Sequence, residues 1–163
     1  MVSKDIRDFR ARLGRNVRVL GLDVGTKTIG LALSDLTLTI ATPFDTIRRG
    51  RFAVDVETLR RTIDAQEVGG LIIGLPVGMD GTEGPRCQSV RQFAANLLAK
   101  IDIPIVFWDE RLSTAAVQRL LTDEADLSRG RRAQLVDKLA AAYILQGALD
   151  ALNRPPAAAA AAP

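Results

Sequence analysis

The chain has 163 residues, 47% of them hydrophobic, and a formal net charge of +3. That is the size of one ordinary domain, able to bury a core without a disulfide or a structural metal. Histidine is absent and Cys87 is the single cysteine. This excludes a Ser-His-Asp triad, a histidine or cysteine zinc site, a histidine general base and an internal disulfide.

In chain order, residues 3–13 are expected to form a short amphipathic helix, capped by Ser3, with Ile6, Phe9 and Leu13 on one face and Gly14 at its end. A strand is expected at 17–23, a turn around Gly25, and a second strand at 28–34. So short a turn makes these two strands antiparallel neighbours. A third strand falls within 37–47, stopped or bent by Pro43. Helical spacing of Phe52, Val56, Leu59 and Ile63 predicts a helix over 51–67, ended by Gly69 and Gly70. Leu71 to Ile73 is a short apolar run, the pattern of a strand buried on both faces.

A loop with three glycines and two prolines covers Pro76–Pro85. A helix follows over 86–100, carrying Cys87, and then a buried strand over 103–108 that ends at Asp109-Glu110. A short helix near Ser113, a charged loop over 122–132 and a last helix over 133–151 complete the pattern. The tail PPAAAAAAP is low complexity and is expected to be disordered. The expected division is an N-terminal helical arm at 1–16, one domain at 17–152 and the tail at 153–163. Three strands followed by strands alternating with helices predict an α/β fold, a mixed sheet with helices on both faces. No stretch approaches the ~20 apolar residues that span a membrane. The charged N-terminus lacks a signal peptide's apolar core, so a cytoplasmic location is expected.

Three carboxylates stand in unusual places. Asp23 ends an apolar strand before a glycine turn; it either stabilises that turn or binds a metal. Glu110 closes the strand PIVFWDER, as a polar strand end or as a ligand. Neighbouring strand residues face opposite ways, so Asp109 and Glu110 do not share one site unless the strand has already ended. Asp137 lies on the last helix above Ala140, Ala141, Ile144 and Ala148, all apolar and on its own face. A carboxylate atop a buried stripe is costly unless paired with an arginine or bound to a cation. Hard oxygen donors suit magnesium or manganese, not zinc or copper. Two such ions ~4 Å apart can drive in-line phosphoryl displacement without histidine.

Four blocks, GLDVGTKTIGLALSD, IIGLPVGMDGTEG, DERLST and VDKLAAAYILQ, resemble in order and spacing the YqgF/RuvX family of the ribonuclease H-like superfamily. The resemblance covers roughly residues 17–150. It implies a five-stranded mixed sheet whose first three strands are antiparallel, with an acidic metal site across it. On the family's pattern Asp23, Glu110 and Asp137 occupy the acidic positions. The family is associated with processing the 5′ end of pre-16S ribosomal RNA, and is also described as a Holliday junction resolvase. Thr28 departs from the arginine frequent in the first block, so no phosphate contact is carried over there.

Around the acids, Lys27 in the turn either meets a phosphate or is simply solvated. Arg111 is expected to hold a phosphate or orient Glu110. Arg129, Arg131 and Arg132 form a basic segment just before Asp137, suited to nucleic acid leading into the site. The leading expectation is a magnesium- or manganese-dependent endonuclease acting on structured RNA, pre-16S rRNA in particular. The alternatives are a resolvase of branched, four-way DNA and a non-catalytic RNA-binding assembly factor. Asp23-Val24-Gly25-Thr26 also resembles the first phosphate turn of actin-like ATPases. Those proteins need two related domains, and this chain has room for one. Cutting a junction symmetrically needs a dimer, but no dimer surface is evident.

Overall fold

The computed structural model describes residues 1–112 and 129–155. The expected helix near Ser113, most of the charged loop and the alanine tail lie outside the described residues.

Strands β1 (Arg18–Val24), β2 (Thr28–Ser34) and β3 (Ala41–Arg48) run antiparallel in sequence. Strands β4 (Val68–Leu75) and β5 (Ile105–Asp109) are parallel to β1, giving one sheet in the order β3-β2-β1-β4-β5. This is the expected five-stranded mixed sheet. Helices α1 (Ile6–Arg12), α2 (Phe52–Ala65), α3 (Pro85–Leu98) and α4 (Arg129–Asn153) cover both of its faces.

The period of two along each strand sorts its residues between two cores. Leu20, Leu22, Leu31, Leu71 and Ile73 pack against Leu59 of α2 and Val90, Phe93 and Leu97 of α3. On the opposite face Val19, Ala32, Ile72 and Val106 pack against Ala141, Ile144, Leu145, Ala148 and Leu149 of α4. Burying one such leucine contributes about 1.5–3 kcal/mol. Phe9 of α1 joins this second core and is fully buried. Asp23 shares the face of Val19, so the alternation that buries β1 aims its carboxylate at α4.

Several boundaries differ from expectation, each for a local reason. Asp5, not Ser3, caps α1, accepting from the amides of Arg7 and Asp8. Ser3 instead donates its amide to the Ile105 carbonyl and extends the edge of β5. Strand β3 starts at Ala41 because Asp35 folds residues 35–40 into a turn, accepting from the Thr37 hydroxyl and the Thr39 and Ile40 amides. Pro43 does not stop β3. It lies on an edge strand, at an irregularity of register, where a missing N–H is tolerated.

Gly69 and Gly70 belong to β4 and do not end α2. That helix ends at Ala65, and Glu67 then takes a positive φ of 54°. A Cβ at Gly70 would lie 2.6 Å from the Phe9 ring, so this glycine makes room for α1. The last helix begins at Arg129 rather than 133, so Arg129, Arg131 and Arg132 sit on its first turns and not in a loop. Cys87 is buried, its thiol donating to the Pro76 carbonyl.

Candidate active site

The approach of α4 to the sheet builds the site. Gly30 of β2 is the register partner of Asp23. A Cβ at Gly30 would stand 2.1 Å from the Asp137 carbonyl oxygen. Only glycine there lets the helix backbone rest on β2 and bring Asp137 beside the end of β1. Gly30→Ala should therefore push α4 off the sheet. The expected cost is about 1–3 kcal/mol or more, read as a lower urea midpoint. An unchanged midpoint would contradict the close approach.

The Asp137 carboxylate is held from β2: the Thr28 hydroxyl donates to its Oδ2 at 2.8 Å. Among the described residues the partner of this half-buried acid is thus a hydroxyl. In the sequence Thr28 stands out only as a departure from the family's frequent arginine.

Strand β5 ends at Asp109, and Glu110 opens a single 3₁₀ turn, Glu110–Leu112. Ending the strand there separates two adjacent acids. Asp109 pairs with Arg111, whose Nη2 lies 2.5 Å from Oδ2, so Arg111 is held by Asp109 and does not orient Glu110. Glu110 continues on the face of Trp108 and lies over Gly74 of β4. A Cβ at Gly74 would come within 2.6 Å of Glu110 Oε1. The missing side chain is the cradle for the carboxylate.

Asp23 and Glu110 hydrogen-bond each other. Burial, followed by the negative charge of Asp137, pushes the Asp23 carboxyl above its ordinary range; the hydrogen bond from Glu110 opposes this. Glu110 is pushed up to about 7, first by burial and then by the charge and hydrogen bond of Asp23. Two desolvated carboxyls in contact cannot both ionise cheaply, so the pair shares a proton near neutral pH.

These two acids offer oxygen donors for a cation, while Asp137 commits Oδ2 to Thr28. Among the described residues, no group of three acids is already gathered closely enough to hold one ion.

The remaining expected residues are more dispersed. Lys27 is exposed on the β1–β2 turn, whose backbone is tied down by the Arg49 amide donating to the Lys27 carbonyl. Arg131 is exposed on α4, and the side chains of Arg129 and Arg132 lie outside the described residues. One residue went unremarked in the sequence. Arg86, in the first turn of α3, donates to the Val24 carbonyl at 3.4 Å, and its charge acts on both Asp23 and Glu110. No motif flags it, because the contact joins segments 62 residues apart.

Two solved structures share this architecture. One is T. thermophilus RuvC in complex with Holliday junction substrate, with a TM-score of 0.54 and 14% identity over 83% of this chain and 94% of that one. The other is the Fowlpox virus resolvase with substrate Holliday junction DNA, with a TM-score of 0.53 and 9% identity over 85% of this chain and all of that one. At these identities the likeness is one of fold, and the fold is ribonuclease H-like.

Sequence similarity reaches further. The family model described as "RuvX: Holliday junction resolvase" matches residues 17–151. A protein of Paramagnetospirillum magneticum named "Putative pre-16S rRNA nuclease" is 68% identical over 88% of this chain and 92% of its own length. One of Rhodospirillum rubrum with the same name is 62% identical over 83% of this chain and 84% of its own. The chain belongs to the RuvX family and is a nuclease, a hydrolase of phosphodiester bonds.

Proposed function

We propose that this chain is a divalent-metal-dependent endonuclease of structured RNA, acting at the 5′ end of pre-16S rRNA in the cytoplasm. The observation that carries the reading is the desolvated Asp23–Glu110 pair, set in the Gly74 cradle with Asp137 across from it. The names of the two relatives support the choice of substrate. Among the described residues no helix is long and apolar enough to cross a membrane.

The residues fit a hard cation. Every donor is an oxygen, and the proton shared by Asp23 and Glu110 occupies a place that magnesium or manganese can take. When bound, the cation supplies Lewis-acid charge to a phosphoryl oxygen and acidifies water for attack on phosphorus. Asp23 is central because it touches Glu110 and faces Asp137. Thr28 orients Asp137 through the hydroxyl bond. Thr28→Val keeps the shape and removes the donor, and should lower single-turnover cleavage by about 10–100-fold with the fold retained. Wild-type rates in that variant would remove Thr28 from the site. Lys27, Arg111, Arg129, Arg131 and Arg132 contribute positive surface for the nucleic-acid backbone.

The test runs wild type with magnesium on precursor rRNA spanning the mature 5′ end and on a four-way DNA junction, at several salt concentrations. Cleavage of the precursor at a defined position, with the junction intact, is expected. Preferential and symmetric cutting of the junction would favour the activity in the family's description. Binding to RNA with no metal-dependent cleavage of either substrate would leave an assembly factor.

A further inference from the structure

Helix α3 opens without an acid in its first turn. Gly84 is its N-cap and makes no side-chain cap bond, and Pro85 follows in the first turn. That turn carries Arg86 instead. A cation at a helix N-terminus opposes the macrodipole, so this arginine is held where helix stability disfavours it.

What Arg86 touches points to a purpose. Its Nη2 donates to the carbonyl of Val24, the residue after Asp23. Its charge lowers the pKa of both Asp23 and Glu110. Among the described residues it nevertheless forms no ion pair within 4.0 Å. The arginines nearby behave differently: Arg111 closes on Asp109 at 2.5 Å and Arg91 on Glu83 at 2.6 Å. A guanidinium present only to neutralise acids would collapse onto them in the same way. Arg86 is tethered to backbone, stands off from the carboxylates, and is exposed. Guanidinium offers five donors in a planar fork matched to phosphate oxygens. One of them goes to Val24.

From this arrangement we infer that Arg86 is a catalytic residue of the nuclease reaction, gripping the non-bridging oxygens of the scissile phosphodiester opposite Asp23 and Glu110. The inference rests on the proposed nuclease site. In the reaction phosphorus gains a bond to water oxygen and loses one to the leaving oxygen. Arg86 takes no proton; it stabilises charge on the oxygens that stay. It also draws an anionic backbone toward a site whose own carboxylates repel it.

The test uses the full chain with Arg86→Gln and Arg86→Lys, and two readouts. The first is binding of the precursor RNA in EDTA across a salt series. Losing one phosphate contact should reduce the log affinity–log salt slope by about one in Arg86→Gln and leave it nearly unchanged in Arg86→Lys. The second is cleavage with magnesium. Arg86→Gln should lose about 10²–10³-fold in kcat with KM less affected, and Arg86→Lys should fall between it and wild type. Thermal unfolding should show both variants folded at the assay temperature, because Arg86 is exposed. An unchanged salt slope overturns the inference, as does a normal kcat. If wild type cleaves no substrate, the nuclease reading fails by itself, the catalytic claim falls with it, and the slope still decides whether Arg86 holds a phosphate.

Discussion

Asp23→Asn should lose cleavage by about 10³-fold or more while the protein stays folded. The loss should exceed the 10²–10³ associated with a single charge-stabilising donor, because Asp23 is the acid that joins the other two. It hydrogen-bonds Glu110 and feels the charge of Asp137. Asparagine has the same shape and still bonds Glu110, so the packing of β1 against β2 is undisturbed. It also removes one of the charges that repel one another without a cation. The metal-free variant should therefore melt at or above the wild-type temperature at neutral pH. The decisive measurement pairs single-turnover cleavage in magnesium with thermal unfolding in EDTA. Cleavage within tenfold of wild type would show that Asp23 is not the central acid. Loss of cleavage with a large drop in melting temperature would show a structural Asp23 instead.

The faces of Asp23 and Asp137 were legible in the sequence because alternation and helical spacing are local properties, whereas that of Glu110 depended on where β5 ends. Asp23 lies two residues beyond Gly21 and four beyond Val19, so its side follows from theirs. Asp137 stands on the stripe of Ala141, Ile144 and Ala148, all buried. The antiparallel β1–β2 pair and the parallel crossover strands followed similarly from one short turn and the intervening helices, whereas the antiparallel set of three strands came with the family resemblance. What escaped was created by absent or distant atoms. Gly30 and Gly74 matter for the space they leave to Asp137 and Glu110, and a glycine in a strand gives no sign of what fills that space. Gly69 and Gly70 resembled a helix stop because glycine doublets often are one; here they lie within a strand beneath Val17 and Phe9. Thr37 and Thr39 have strand propensity, but their hydrogen bonds to Asp35 form a turn. Arg86 is an ordinary surface arginine until α3 brings it to the end of β1. Arg111 resembled a partner of Glu110 by adjacency, and the end of β5 turned it to Asp109 instead.

Magnesium should stabilise the wild-type protein far more at about pH 8 than at about pH 5. The sign follows from Glu110, whose pKa rises from 4.5 to about 7 on folding. Between these values the native state holds a proton that the unfolded chain has lost, so stability falls as pH rises. The contribution is complete below about 4.5 and is gone once pH has passed about 7. Asp23 shifts in the same direction. The carboxylates shifted downward, among them Asp35, which falls to about 2, lose their contribution only in more acid solution and do not mask the effect. In EDTA the melting temperature should therefore decline across this window.

A cation competes with the same proton, so its affinity rises over the range in which the pair ionises. At 100 times its dissociation constant it adds about 2.7 kcal/mol. The two effects together make the magnesium-dependent increment small in acid and large above neutrality. Glu110→Gln removes one of the two titrating groups and should flatten both curves. Melting curves with and without magnesium, at several pH values, test this directly. An equal magnesium increment at both ends of the range would mean that the ion binds elsewhere than at the Asp23–Glu110 pair.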